Sequence, residues 1–173
     1  MDAPQNPAGA FEPEKTYSRQ RREEFIATIE STPRLMRAAV GGLSEAQLDT
    51  KYRNWTIRQI VHHITDSHVN SYVRFKWTLT EEHPTIKAYD DGKWAELADS
   101  RSGDVRVSLA LLDGLHARWV ILLRSLTDAD FERSFFHPES KQDVSLNAAL
   151  CYYAWHCRHH TAQINWVRQQ NRW

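Results

Sequence analysis

Excess charge of either sign is missing from this sequence: 22 Lys and Arg balance 22 Asp and Glu over 173 residues. A neutral chain without a basic tract lacks the electrostatic footprint of a nucleic-acid binder. It also lacks the polybasic surface that anionic membranes attract. Long apolar runs are missing too, none approaching the ~20 residues that cross a bilayer. Met1 to Pro13 is polar and rich in Pro, Ala and Gly, without the basic stretch and apolar segment of a secretory leader. Cysteine is scarce, with only Cys151 and Cys157. On one helix these two would stand roughly 9 Å apart along the axis, too far for a disulfide. Nor is their spacing the C-x-x-C of a redox or zinc site. Unpaired thiols and no leader predict a soluble protein of the reducing cytoplasm. Internal repeats and low-complexity tracts are absent as well. Histidine and tryptophan, at nine and seven, are what the chain has in quantity.

The length suits one domain, read as residues 15–173 behind an extended N-terminal arm, 1–14, where Pro4, Pro7 and Pro13 oppose helix. A helical pattern from about Tyr17 to Val40 carries Phe25, Ile29, Met36 and Val40, and Pro33 inside it predicts a kink or two abutting helices. Gly41 and Gly42 stop it, and Ser44 to Gln47 reads as a capping box. A second box, Thr56 with Gln59, opens a long helix ending near Thr80, ahead of Pro84. Residues 81–104 form a long connection with a short turn at Trp94 to Leu97. A third helix spans about Asp104 to Leu126, and Thr127 with Asp130 caps a short one. Residues 134–144 read as a loop or short hairpin, and the last helix runs from Ser145 almost to the end. The expected fold is therefore all-α: a four-helix bundle with a long crossover connection.

The sharpest local signal is Trp155-His156-Cys157-Arg158-His159-His160. His156 and His160 lie one helical turn apart, close enough for two imidazoles to reach one metal ion. With Tyr153 as the centre of the apolar face, they fall roughly 60° and 20° from it, while His159 falls roughly 120° away. Cys157 occupies the place of the glutamate in H-E-x-x-H, so the motif supplies no base. A third ligand has to come from another helix. On the second helix His62 lies roughly 160° from the Ile64 face and should meet solvent; His63 lies roughly 100° away and His68 roughly 40°. Periodicity alone therefore favours His68 over His63. The plainer alternative is a set of core histidines bonded to the Tyr72 or Tyr153 hydroxyls. His116 reads as a core residue or a support for a ligand. Tyr89 and Trp94 can equally line a pocket or pack.

The run Asn54-Trp55-Thr56-Ile57-Arg58-Gln59-Ile60-Val61-His62-His63-Ile64-Thr65-Asp66-Ser67-His68 closely resembles the DinB-like bundle family, and within it the YfiT type, described as metal-dependent hydrolases. Asn70 to Lys76, Tyr89-Asp90, Trp94 to Leu97, Leu115 to Trp119 and Trp155 to His160 extend the likeness over nearly all the chain from residue 11. It implies a four-helix bundle with one zinc or nickel ion on three histidines and water. Carried over by motif, the ligands are His63, His156 and His160, against the periodicity that favours His68. Related bundles join low-molecular-weight thiols such as bacillithiol to electrophiles. Hydrolysis and thiol transfer on a small molecule thus both stay open, as does homodimerisation. A non-catalytic, metal-containing helical binding or stress-response module is the alternative. Candidate catalytic groups are Gln163, one turn beyond His160, and Asp90 beside Tyr89.

Overall fold

The computed structural model describes residues 2–173. Helix α1, Arg19–Val40, starts at Ser18, whose hydroxyl accepts the Arg21 N–H. Helix α2, Glu45–Leu48, carries the expected capping box of Ser44 and Gln47. A two-residue ladder follows, β1 Lys51–Tyr52 against β2 Trp55–Thr56, which the sequence did not suggest. The Thr56–Gln59 box opens α3, Ile57–Thr80. The connection after it holds α4, Asp91–Ala95, and α5, Ala98–Ser102. Helix α6, Val105–Ser125, leads through α7, Asp128–Glu132, to a hairpin of β3 Ser134–His137 and β4 Gln142–Ser145. Helix α8, Leu146–Asn171, closes the chain.

The four long helices form the bundle. Both α1 and α3 pack against α6 and α8, so α1 and α3 face each other across the diagonal. Each long helix passes from one apolar cluster to another. Phe25 and Ile29, Phe75, Trp119, and Leu146 and Leu150 fill one end. Met36, Ile60 and Ile64, Leu112 and Ile164 fill the other. Where the helices cross between the two clusters they carry buried His63, His68, His116, His156 and His160. A layer of buried imidazoles inside an apolar bundle is costly unless each ring finds partners.

Two expectations need correction, and of the two Pro33 alternatives the abutting helices are excluded. Pro33 neither splits nor ends α1, which runs unbroken from Arg19 to Val40. What proline removes is one N–H, and the carbonyl one turn earlier, Ile29, is left for another donor. His62 does not meet solvent: it is buried, with Nδ1 2.7 Å from Ser108 Oγ and Nε2 3.2 Å from the Gly103 carbonyl oxygen. His159 is buried too, stacked on Trp155 with centroids 4.6 Å apart. For His62, chain outside the helix covers what a helical wheel takes for its wet face; for His159, its own-helix neighbours Trp155 and Gln163 do. The 81–104 connection lays α4 and α5 on α3. Arg58, on that covered face, is also buried, bonded to Asp49, Glu45 and the Gly103 carbonyl. The N-terminal arm runs beside α8, where Trp155 Nε1 donates to the Gly9 carbonyl at 2.9 Å and Phe11 packs on Tyr152 and Trp155.

Candidate metal centre

The bundle brings His63 of α3 together with His156 and His160 of α8, one ring nitrogen from each lying within 4.8 Å of the others. His156 Nε2 stands 3.4 Å from His63 Nε2 and 3.0 Å from His160 Nε2. His68, favoured by periodicity, lies behind this trio, its Nε2 3.1 Å from His156 Nδ1. His68 Nδ1 is 2.7 Å from His116 Nε2, and His116 Nδ1 is 2.6 Å from the Ile29 carbonyl oxygen.

That last contact fixes the direction of the whole chain. A carbonyl only accepts, so His116 carries its proton on Nδ1 and offers a bare Nε2. His68 therefore donates from Nδ1 and accepts at Nε2, and His156 donates from Nδ1. The Ile29 carbonyl is free for this because Pro33 has no N–H to give it. On the other side, His160 Nδ1 donates to Gln163 Oε1 at 2.8 Å, while Gln163 Nε2 donates to His159 Nε2 at 2.9 Å.

Both His156 and His160 thus point unprotonated Nε2 atoms at each other across 3.0 Å. Two facing lone pairs repel unless an electrophile lies between them. Ligand nitrogens about 2.0–2.1 Å from a tetrahedral ion stand about 3.3 Å apart, close to the separations seen. Burial, and then the neighbouring imidazoles, hold His156 and His160 well below the ordinary histidine value. Burial lowers His63 to about 4. All three rings are therefore neutral at pH 7, the form that binds a metal. The donor set fits a divalent ion of the zinc or nickel kind.

The trio opens on a cavity of about 800 Å³. Trp55, Tyr89, Tyr152, Tyr153 and Trp155 supply its aromatic walls, and Phe11 and Pro13 reach it from the N-terminal arm. The Trp55 ring lies 4.5 Å from that of His63. Of the two catalytic candidates, Gln163 lines this cavity and Asp90 does not. Asp90 caps α4, accepting the Lys93 N–H at 2.9 Å, and pairs with the Lys93 ammonium at 3.0 Å. Its neighbour Asp91 faces the cavity instead. Asp66 is half-buried, its carboxyl raised to about 6 by burial and then by Asp99, but it does not line the cavity. Sequence reasoning gave no role to Arg74, which does line it. The available signal was spacing: Arg74 follows His63 by three helical turns, on nearly the same face.

The family model of the DinB superfamily matches residues 28–164. The chain belongs to the DinB superfamily. Within it, the Bacillus subtilis protein named "Putative metal-dependent hydrolase YfiT" is 46% identical over 169 residues, 96% of this chain and 95% of that one. A Bacillus mycoides protein named a "Putative metal-dependent hydrolase" is 50% identical over 169 residues, 96% of each chain. The solved structure of Bacillus subtilis YfiT is described as "a probable metal-dependent hydrolase with an unusual four-helix bundle topology". It superposes on this DinB-superfamily chain with a TM-score of 0.94 at 45% identity, covering 97% of both chains. No described helix of the chain is long and apolar enough to cross a membrane.

Proposed function

We propose that His63, His156 and His160 hold one divalent metal ion, zinc or nickel, and that the protein is a metal-dependent enzyme acting on a small molecule in the adjoining cavity. The observation that carries this reading is the pair of bare Nε2 atoms on His156 and His160, facing each other at 3.0 Å. His63, His156 and His160 would hold such an ion through three neutral imidazoles, and the chemistry it would supply is a lowered pKa for a water or thiol bound there. The protein's own groups do the rest. His68 and Gln163 hold the rings of His156 and His160 in the ligand tautomer. The aromatic walls offer flat apolar surface to a substrate body. A structural ion fits less well, because such sites are closed by four protein ligands. The two buried free cysteines suit a reducing cytoplasm.

Between hydrolysis and thiol transfer, the names of the relatives favour the first, and the surroundings of the trio favour the second. Attack by water wants a base in hydrogen-bond reach. Among the described residues the bonds of His156 and His160 run to other histidines and to Gln163, never to a carboxylate. Asp91, Glu139 and Asp143 line the cavity but are exposed, and Asp143 is engaged by His83 Nε2 at 2.8 Å. A thiol needs no further base once it is deprotonated. We therefore favour transfer of a low-molecular-weight thiol to a small electrophile. Cobalt-substituted protein tests this. A cysteine-derived thiol should add an intense near-ultraviolet charge-transfer band, and conjugation of a model electrophile should track it. Ester or amide turnover without thiol, with no spectral response to thiols, would reverse the choice in favour of hydrolysis.

A further inference from the structure

Three arginines of the described residues are buried: Arg22, Arg58 and Arg74. Arg22 pairs with Asp128, and Arg58 pairs with Glu45 at 2.7 Å and Asp49 at 2.8 Å. Arg74 differs. It is 9% exposed, yet no carboxylate of the described residues lies within ion-pair distance of it. Its Nε is buried without a hydrogen-bond partner, and its one bond is a long contact of 3.4 Å from Nη2 to the Lys87 carbonyl. The Tyr89 ring lies 6.0 Å from its Cζ, at the edge of useful cation–π distance. A permanently charged group taken out of water without a counter-ion is costly, and a fold keeps one where something else supplies the anion.

The place of this guanidinium says what that anion belongs to. Arg74 lines the same cavity as His63, His156 and His160. Eleven residues separate it from His63 on α3, which is roughly 16 Å of rise and only roughly 20° of rotation. Ser67, between them, lines the cavity too. The cavity therefore carries the histidine trio at one end and, further along its α3 wall, an unpaired guanidinium, with Tyr152, Tyr153 and Phe135 offering apolar surface. The acidic groups that also line it, Asp91, Glu139 and Asp143, are exposed.

We infer that Arg74 is a carboxylate-binding subsite, and that the substrate is an elongated small molecule with an apolar body and a carboxylate at the end remote from the histidine trio. The guanidinium fork takes a carboxylate bidentately. The inference rests on the reading of this cavity as the substrate site, but not on the metal.

A matched pair of probes tests it: 3-phenylpropionate and its neutral amide, equal in shape and differing in charge. Binding is read by tryptophan fluorescence, since Trp55 and Trp155 line the cavity. The titrations use protein as purified and after chelator treatment, with metal content measured in the same samples. The expected result is a preference for the carboxylate of about tenfold or more in both samples, the scale of one good charge-assisted pair. Arg74→Gln should abolish the preference while leaving amide affinity unchanged, and Arg74→Lys should keep part of it. A residue that merely braces the 81–104 connection would weaken both probes equally. The inference is overturned if acid and amide bind alike to the wild-type protein, if neither binds, or if the preference survives in Arg74→Gln. A preference present only in metal-loaded protein also overturns it, because the carboxylate would then be binding the ion. Should Arg74→Gln fail to fold, the wild-type comparison and Arg74→Lys still decide. An Arg74-dependent preference in a protein that holds no metal even as purified would leave the subsite standing and remove the metal reading instead.

Discussion

Replacing His116 with leucine should weaken metal binding, although His116 touches none of the three proposed ligands. In the native arrangement the Ile29 carbonyl orders His116, His116 orders His68, and His68 orders His156. In His116→Leu the His68 Nδ1–H loses its acceptor at 0% exposure. A buried donor left unsatisfied costs about 1–3 kcal/mol. His68 escapes that cost by moving its proton to Nε2, where it meets the Nδ1–H of His156. His156 must then carry its own proton on Nε2, the nitrogen that faces His63 and His160. Whichever state pays, the penalty falls on the metal-binding form. Removing a partner of a ligating histidine typically costs 10- to 100-fold in affinity, or about 1.4–2.7 kcal/mol. Zinc competition against a chromophoric chelator measures the loss, and nitrogen–proton correlation spectra of the imidazoles report the His156 tautomer. His116→Gln, whose amide can donate to Ile29 and accept from His68, should lose less. Pro33→Ala should act more weakly still, because its restored N–H competes for a carbonyl that has two lone pairs. A folded His116→Leu protein with native zinc affinity and an unchanged His156 tautomer would refute the relay.

Two further outcomes follow from the same layer. His63→Ala should lose metal, whereas His62→Ala should keep it while lowering the melting temperature, because His62 holds Ser108 and the Gly103 carbonyl; metal loss in His62→Ala alone would contradict the assignment. Acid should destabilise the metal-free protein between about pH 6.5 and 4, since burial holds His63 and His116 at about 4. Their folded values lie below the unfolded one, so the stabilisation is full above about 6.5 and is lost as pH falls and the unfolded chain takes up protons first. Each group is worth roughly 3 kcal/mol over that window, and a melting temperature flat from pH 7 to 4.5 would contradict the account.

Local signals in the sequence translated directly into structure. The Ser44–Gln47, Thr56–Gln59 and Thr127–Asp130 boxes all cap helices where the residue pattern placed them. Apolar spacing gave the four long helices to within a few residues, because each buries a stripe against its neighbours. Non-local effects stayed out of reach. A helical wheel assumes one wet face per helix, and α3 has another of its faces covered by α4 and α5, so His62 and Arg58 were read as exposed or left unread. His68 does lie inward as periodicity placed it, but what a wheel cannot show is that it bonds His156 at 3.1 Å, as a partner to one of the proposed ligands. His63 lies at the edge of the α3 stripe, and only motif resemblance singled it out. Pro33 shows the gap most clearly. Its effect on α1 was sought as a kink, while the consequence in the fold is a carbonyl released to His116, a residue 83 positions further on.

The central claim, a metal centre built on His63, His156 and His160, is tested most directly by elemental analysis of untagged protein beside a His156→Ala, His160→Ala double variant. About one zinc or nickel per chain in the wild type and none in the variant is the predicted result. Metal content that is the same in both proteins would contradict it.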